Sequence, residues 1–102
     1  MYSGAGAPMR IRWLRAALRN LQQETEYIAQ EDPAAALRVV ARVGDAVHYL
    51  EDHPSMGRVG RVPGTRELVV SGTPYIAPYR VRGQDIEILR VFHAARKWPK
   101  RI

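Results

Sequence analysis

A helix restart at Asp32-Pro33, set between two amphipathic stripes, constrains the fold of this chain more than any other feature. Upstream, Leu14, Leu18, Leu21, Thr25 and Ile28 recur at alternating steps of four and three, which places them on one side of a helix reaching about Gln30. Arg15, Arg19, Gln22, Gln23 and Glu26 fall on its other side. Asp32 offers a side-chain acceptor at an N-cap, and Pro33 occupies the first helical position, where a missing N–H costs nothing. A second stripe follows in Ala36, Val40, Val43, Val47 and Leu50, closed by Glu51-Asp52-His53-Pro54. With so short a connection the two helices fold back as an antiparallel hairpin, and their stripes need a further apolar layer to face.

The rest of the chain supplies that layer. Arg10–Trp13 alternates polar with apolar residues, as a half-buried first strand does. Residues 54–64 hold three glycines and two prolines, the composition of a loop. Strand patterns then occupy Arg66–Val70, Tyr75–Val81 and Ile86–Phe92, joined by Ser71-Gly72-Thr73-Pro74 and Arg82-Gly83-Gln84-Asp85, both with turn chemistry. Pro78 has no N–H to give a neighbour, so an edge or a bulge is expected there. The expected order is β-α-α-β-β-β, an α+β domain with a helical hairpin packed on a twisted antiparallel sheet. Residues 1–8 are small and unpatterned and are read as a flexible leader, with residues 9–102 as a single domain.

Charge separates the two halves. Up to Pro54 there are six Arg against seven acidic residues, whereas from Ser55 onward ten Arg plus Lys face three acids. Such a concentration on strand-like segments suits an anionic partner. The chain has no cysteine, which excludes disulfides, thiolate metal sites and cysteine nucleophiles. Neither a membrane-spanning run of roughly 18–20 apolar residues nor a signal peptide is visible, so a soluble cytoplasmic protein without metal or cofactor is expected.

Particular residues carry a resemblance beyond this pattern. They are Tyr27-Ile28-Ala29 before Asp32-Pro33, the closing His53-Pro54, Gly57-Arg58, Pro63-Gly64-Thr65-Arg66-Glu67-Leu68, Pro74-Tyr75-Ile76, Pro78-Tyr79-Arg80-Val81, Ile88-Leu89-Arg90-Val91, His93 and Trp98-Pro99. As an ordered set they resemble the RelE/ParE superfamily of toxins from bacterial type II toxin-antitoxin modules, over nearly the whole chain. The resemblance implies one of two activities. RelE-like members cut messenger RNA on the ribosome, which needs a base, an acid and cations for the developing phosphorane charge. That branch carries an arginine directly after the tyrosine of the third strand, and here Ile76 stands there. The remaining nuclease candidates are His93 as acid, Glu67 as base, and Arg66, Arg80 and Arg90 as cations. Each has a plainer reading: His93 packed at a strand end, Glu67 paired across strands with an arginine.

ParE-like members instead poison DNA gyrase by protein contact, and the aliphatic stretch after Tyr75 with the basic tail agrees better with that branch. Arg58, Arg61, Arg66, Arg96, Lys97 and Trp98 are then the candidate target-binding residues. Through the resemblance the expected partners are a cognate acidic antitoxin and DNA gyrase, or else the ribosome and mRNA. Operator DNA enters only through the antitoxin complex. A seam between the helix pair and the sheet near Leu14, Leu18 and Tyr27 is the expected antitoxin groove. His48 and His53 have no setting that suggests a role.

Overall fold

The computed structural model describes residues 8–96 and 98. The expected leader therefore lies, apart from Pro8, outside the described residues, as does Lys97. Strand β1 (Arg10–Trp13) leads into helices α1 (Arg15–Ala29) and α2 (Pro33–Tyr49). Strands β2 (Arg58–Val59), β3 (Arg66–Val69), β4 (Tyr75–Arg82), β5 (Asp85–Ile88) and β6 (Phe92–His93) follow. The hairpin turns where the sequence requires: the Ala35 amide donates to Asp32 Oδ1 at 3.0 Å, and Pro33 opens α2. Such a cap is worth about 1 kcal/mol.

The sheet runs β1-β5-β4-β3-β2, with β6 also on β4. It is antiparallel except at one edge, where β1 lies parallel to β5 with Arg10 opposite Asp85 and Trp13 opposite Ile88. The sheet is thus mixed. Alternation in one short strand gives its faces and not its direction relative to a partner 75 residues away, so this pairing is invisible locally.

Pro78 brings the expected bulge. Opposite β4, the three steps from Ile76 to Tyr79 face four steps from Ile88 to Phe92. The last strand expected from the pattern, Ile86–Phe92, is accordingly broken into β5 and β6. Leu89 still donates to the Pro78 carbonyl at 2.9 Å, and the proline nitrogen faces the slip, where no donor is needed. Val91 loses its ladder partner there, and Asn20 Oδ1 of α1 accepts from its amide at 3.1 Å. The loop expected over 54–64 contains the short strand β2, pairing Arg58 with Glu67 and Val59 with Arg66.

One face of the sheet sends Leu68, Val70, Ala77, Tyr79, Ile86 and Ile88 into a core shared with Ala17, Val43, Val47 and Leu50. On α1 the buried side is rotated from the expected stripe: Ala17 is fully covered while Leu18 is 51% exposed, and on α2 Val40 emerges too. A small residue at the contact lets α1 approach closely, and its larger neighbour, about 100° further round the helix, is pushed outward. The opposite face of the sheet carries Glu67, Ile76, Pro78, Arg80 and Glu87, by strand alternation.

Candidate functional site

On that open face, Glu67 is the organising group. It is 3% exposed, yet four N–H donors from two arginines converge on its carboxylate. Arg58 Nε and Nη2 reach Oε1 at 3.1 and 3.0 Å, while the amide and Nε of Arg61 reach Oε2 at 2.9 and 3.0 Å. Burial alone would raise its pKa, but the Arg61 amide and the two guanidiniums outweigh it and hold the carboxyl below its ordinary range. A carboxylate with both oxygens so engaged is a weak base. Its place opposite Arg58 across β2–β3 is that of a cross-strand ion-pair partner.

Arg61 continues the cluster outward. Its guanidinium lies 3.6 Å over the Trp98 ring, and Trp98 packs on Phe92 with centroids 4.7 Å apart. Phe92 sits directly across from Ile76, so both share the open face, and Ile76 is only 5% exposed. The position where the RelE branch places an arginine is therefore a buried apolar contact. Of the six target-binding candidates, Arg58, Arg61 and Trp98 meet around Glu67. Arg66 points to the helix side, where its Nη1 donates to the carbonyls of Gly57 at 2.8 Å and Ser55 at 3.3 Å. Arg96 pairs with Glu24 of α1, away from this cluster.

Of the five nuclease candidates only Arg80 and Arg90 come together; His93, Glu67 and Arg66 lie apart. His93 lies opposite Tyr75, and Arg66 lies opposite Tyr79, four residues or about 13 Å further along β4. Both belong to the helix side of the sheet, whereas Glu67 and Arg80 belong to the open face. His93 Nδ1 accepts from the Ala95 amide at 3.1 Å, and its ring meets Tyr75 edge-on at 5.6 Å, the packed strand-end role. Arg80 donates to Glu87 at 2.7 Å, and this hydrogen bond holds the Glu87 carboxyl below its ordinary range, helped by Arg82 and Arg12. Arg90 bonds the Leu89 carbonyl at 2.7 Å and shares a cleft with Arg80.

Two polar contacts of α1 were not expected from the sequence. Glu24 accepts from Tyr75 Oη at 3.1 Å and holds Arg96; burial first, then this carboxylate, push the Tyr75 hydroxyl up to about 12. Asn20 serves the bulge, as described. Both residues fall in phase with Ala17, Leu21 and Ile28, and polar groups on a buried phase are the signal that could have exposed them.

The three residues expected to line an antitoxin groove do not form one seam. Leu14 is half-buried at the head of α1, and Leu18 and Tyr27, nine residues apart, emerge on opposite sides of it. The apolar groove instead runs along the outer seam between the helices, an open volume of about 370 Å³ lined by Thr25, Glu26, Ala29, Pro33, Ala36, Leu37 and Val40. Leu37 is 72% exposed within it.

Two helices on one face of a mixed sheet, with an arginine cluster on the other, define an α+β toxin-like domain. The model of the family described as "ParE toxin of type II toxin-antitoxin system, parDE" matches residues 11–98. The chain belongs to this family, within the RelE/ParE superfamily of type II toxins. It is 53% identical over 91 residues to the putative toxin Y4kP of Sinorhizobium fredii, covering 89% of this chain and 94% of that one. Toxin RelE2 of Caulobacter vibrioides is 38% identical over 84 residues, covering 82% and 93%. Among solved structures, a chain of the chromosomal ParDE system from P. aeruginosa superimposes with a TM-score of 0.77 at 32% identity, covering 83% of this chain and 95% of that one. Among the described residues no helix is long and apolar enough to cross a membrane.

Proposed function

We propose that this toxin acts in the cytoplasm by binding DNA gyrase and poisoning it through protein contact, not by cutting RNA. The observation that carries this reading is the dispersal of the nuclease candidates: Ile76 is buried under Phe92, Glu67 is clamped by two arginines, and His93 sits far from Arg66 and Arg80. General acid–base chemistry needs its groups within hydrogen-bond reach of one substrate pose. The contact surface is the cluster of Arg58, Arg61 and Trp98 on the open face; Arg96, held by Glu24 away from it, and Lys97, outside the described residues, stay candidates from the sequence alone. A cognate antitoxin neutralises the toxin by laying an amphipathic helix along the outer groove at Leu37 and Val40, the docking mode suited to an apolar groove between helices. Kinship to the ParDE system of P. aeruginosa supports such a partner.

The second reading, a ribosome-dependent mRNA endonuclease, is favoured by the similarity to toxin RelE2. Pulse incorporation of labelled thymidine and labelled amino acid, measured in parallel within minutes of inducing the toxin alone in bacteria, separates the two. Early loss of thymidine incorporation with translation intact is expected. Early loss of translation would overturn the gyrase reading.

A further inference from the structure

The open face holds a second basic feature, separate from the Glu67 cluster. An open cleft of about 260 Å³ is lined by Leu14, Leu89, Arg80 and Arg90, with the loop Val62-Pro63-Gly64-Thr65 along one side. Leu14 and Leu89 give it an apolar floor, and the two guanidiniums supply its charge. Each arginine is steadied by one of its own nitrogens: Arg80 Nε on Glu87 Oε1 at 2.7 Å, and Arg90 Nη1 on the Leu89 carbonyl at 2.7 Å. The other N–H groups of each fork are left for a ligand, and no carboxylate lies within ion-pair distance of Arg90 among the described residues. The loop is a turn built by its sequence, with Pro63 second and Gly64 third at φ +80°, and Thr65 Oγ1 donating to the Val62 carbonyl at 2.6 Å. The cleft wall is thus fixed before any ligand arrives.

From this geometry we infer that the cleft binds a backbone phosphate of duplex DNA. Two guanidinium forks brought from different positions of the sheet suit a tetrahedral oxyanion with several acceptor oxygens. Binding of single strands relies on aromatic platforms for unstacked bases, and among the described residues none lines this cleft. Tyr75 and Tyr79 are buried in the sheet, and Phe92 and Trp98 pack against each other with their rings tilted by 51°. Around the cleft the same face adds Arg10, Arg12, Arg58, Arg61 and Arg82, so that among the described residues seven arginines face three carboxylates, Glu67, Asp85 and Glu87. That excess serves the long-range attraction to a polyanion, and Arg80 with Arg90 fixes the register. The inference does not depend on what enzyme the toxin inhibits.

The test is a fluorescence-anisotropy titration of a labelled 24-base-pair duplex with the full-length toxin, over a range of salt concentrations. Arg90→Gln is expected to weaken binding roughly five- to tenfold and to lower the salt slope by about one. Arg90→Lys, which keeps the charge without the fork, should fall between. Arg38→Gln, on the exposed surface of α2, removes the same charge away from the cleft and should change affinity little; melting curves establish that all variants fold. Equal losses in Arg38→Gln and Arg90→Gln, or an unchanged salt slope in Arg90→Gln, would overturn the site. So would competition by polyglutamate or single-stranded RNA as effective as unlabelled duplex, or no duplex binding at low salt.

Discussion

Tyr79→Phe removes a single oxygen, and the structure assigns that oxygen two jobs. Tyr79 is fully buried; its hydroxyl donates to the Pro54 carbonyl at 2.7 Å and accepts from the Gly57 amide at 2.9 Å. These bonds tie the loop that leaves α2 to the centre of the sheet. Phenylalanine fills nearly the same space, so packing is kept while a half-buried carbonyl and a buried amide both lose their partner. Each such group costs about 1–3 kcal/mol when orphaned, and with some relief from the loop's outer side the sum is about 2–4 kcal/mol. In a chain of this size that lowers Tm by roughly 10–25 °C. Differential scanning calorimetry reads the loss directly. Tyr75→Phe is the matched control, since its hydroxyl has one partner, the half-buried Glu24, which keeps Arg96; about 1.5 kcal/mol, the low end for a hydrogen bond to a charged group, is expected there. A Tyr79→Phe loss no larger than that of Tyr75→Phe would refute the assignment. Gly57→Ala checks the same joint from the other side: a Cβ at Gly57 would lie 2.6 Å from Tyr79 Cε1, so the buried ring or the loop must shift and a loss of Tm is expected.

Other consequences concern charge and surfaces. Glu67→Gln should cost about 1.5–3 kcal/mol, the scale of a charged hydrogen bond lost, read from urea unfolding at neutral pH. Because the folded pKa of Glu67 is depressed, its contribution is whole above the unfolded value near 4.5 and disappears as pH falls through the folded value, so the variant should show a flatter acid limb. At the alkaline end the sign reverses: the Tyr75 hydroxyl, raised to about 12, favours the fold fully below 10.0 and loses that contribution as pH climbs toward 12. Leu37→Arg should weaken antitoxin binding by about 1.5–3 kcal/mol, ten- to a hundredfold in Kd by calorimetric titration, whereas Tyr27→Arg, outside the groove, should not. Truncation after Phe92 removes Trp98 and Arg96 and should abolish toxicity while antitoxin still binds, with circular dichroism checking that the fold survives.

The architecture was legible because its signals are local. Asp32-Pro33 announced the hairpin, and the glycine-bearing turns divided the strands. Pro78, which cannot donate, foretold the slip between β5 and β6. What depended on partners distant in sequence was not legible. The parallel seat of β1 beside β5 requires knowing where a strand enters the sheet. The rotation of α1 that buries Ala17 and exposes Leu18 depends on how closely two helices approach, which a stripe of residue types does not record. The site divides the same way. Glu67 as a cross-strand partner followed from alternating charges, while its union with Arg61 and Trp98 arises from a loop folded across the open face. Arg66 and Arg80 look alike in sequence, yet Arg66 is in phase with the core residue Leu68 on β3 while Arg80 alternates with the core residue Tyr79 on β4, which sends them to opposite faces.

The target proposed for this toxin is gyrase, disabled without hydrolysis of RNA. Purified toxin added to gyrase with ATP and relaxed plasmid, beside a parallel reaction of ribosomes translating a defined mRNA, tests it most directly. The account predicts loss of supercoiling with accumulation of cleaved plasmid, and intact mRNA. Cleaved mRNA in the ribosomal reaction, with supercoiling unaffected, would contradict it.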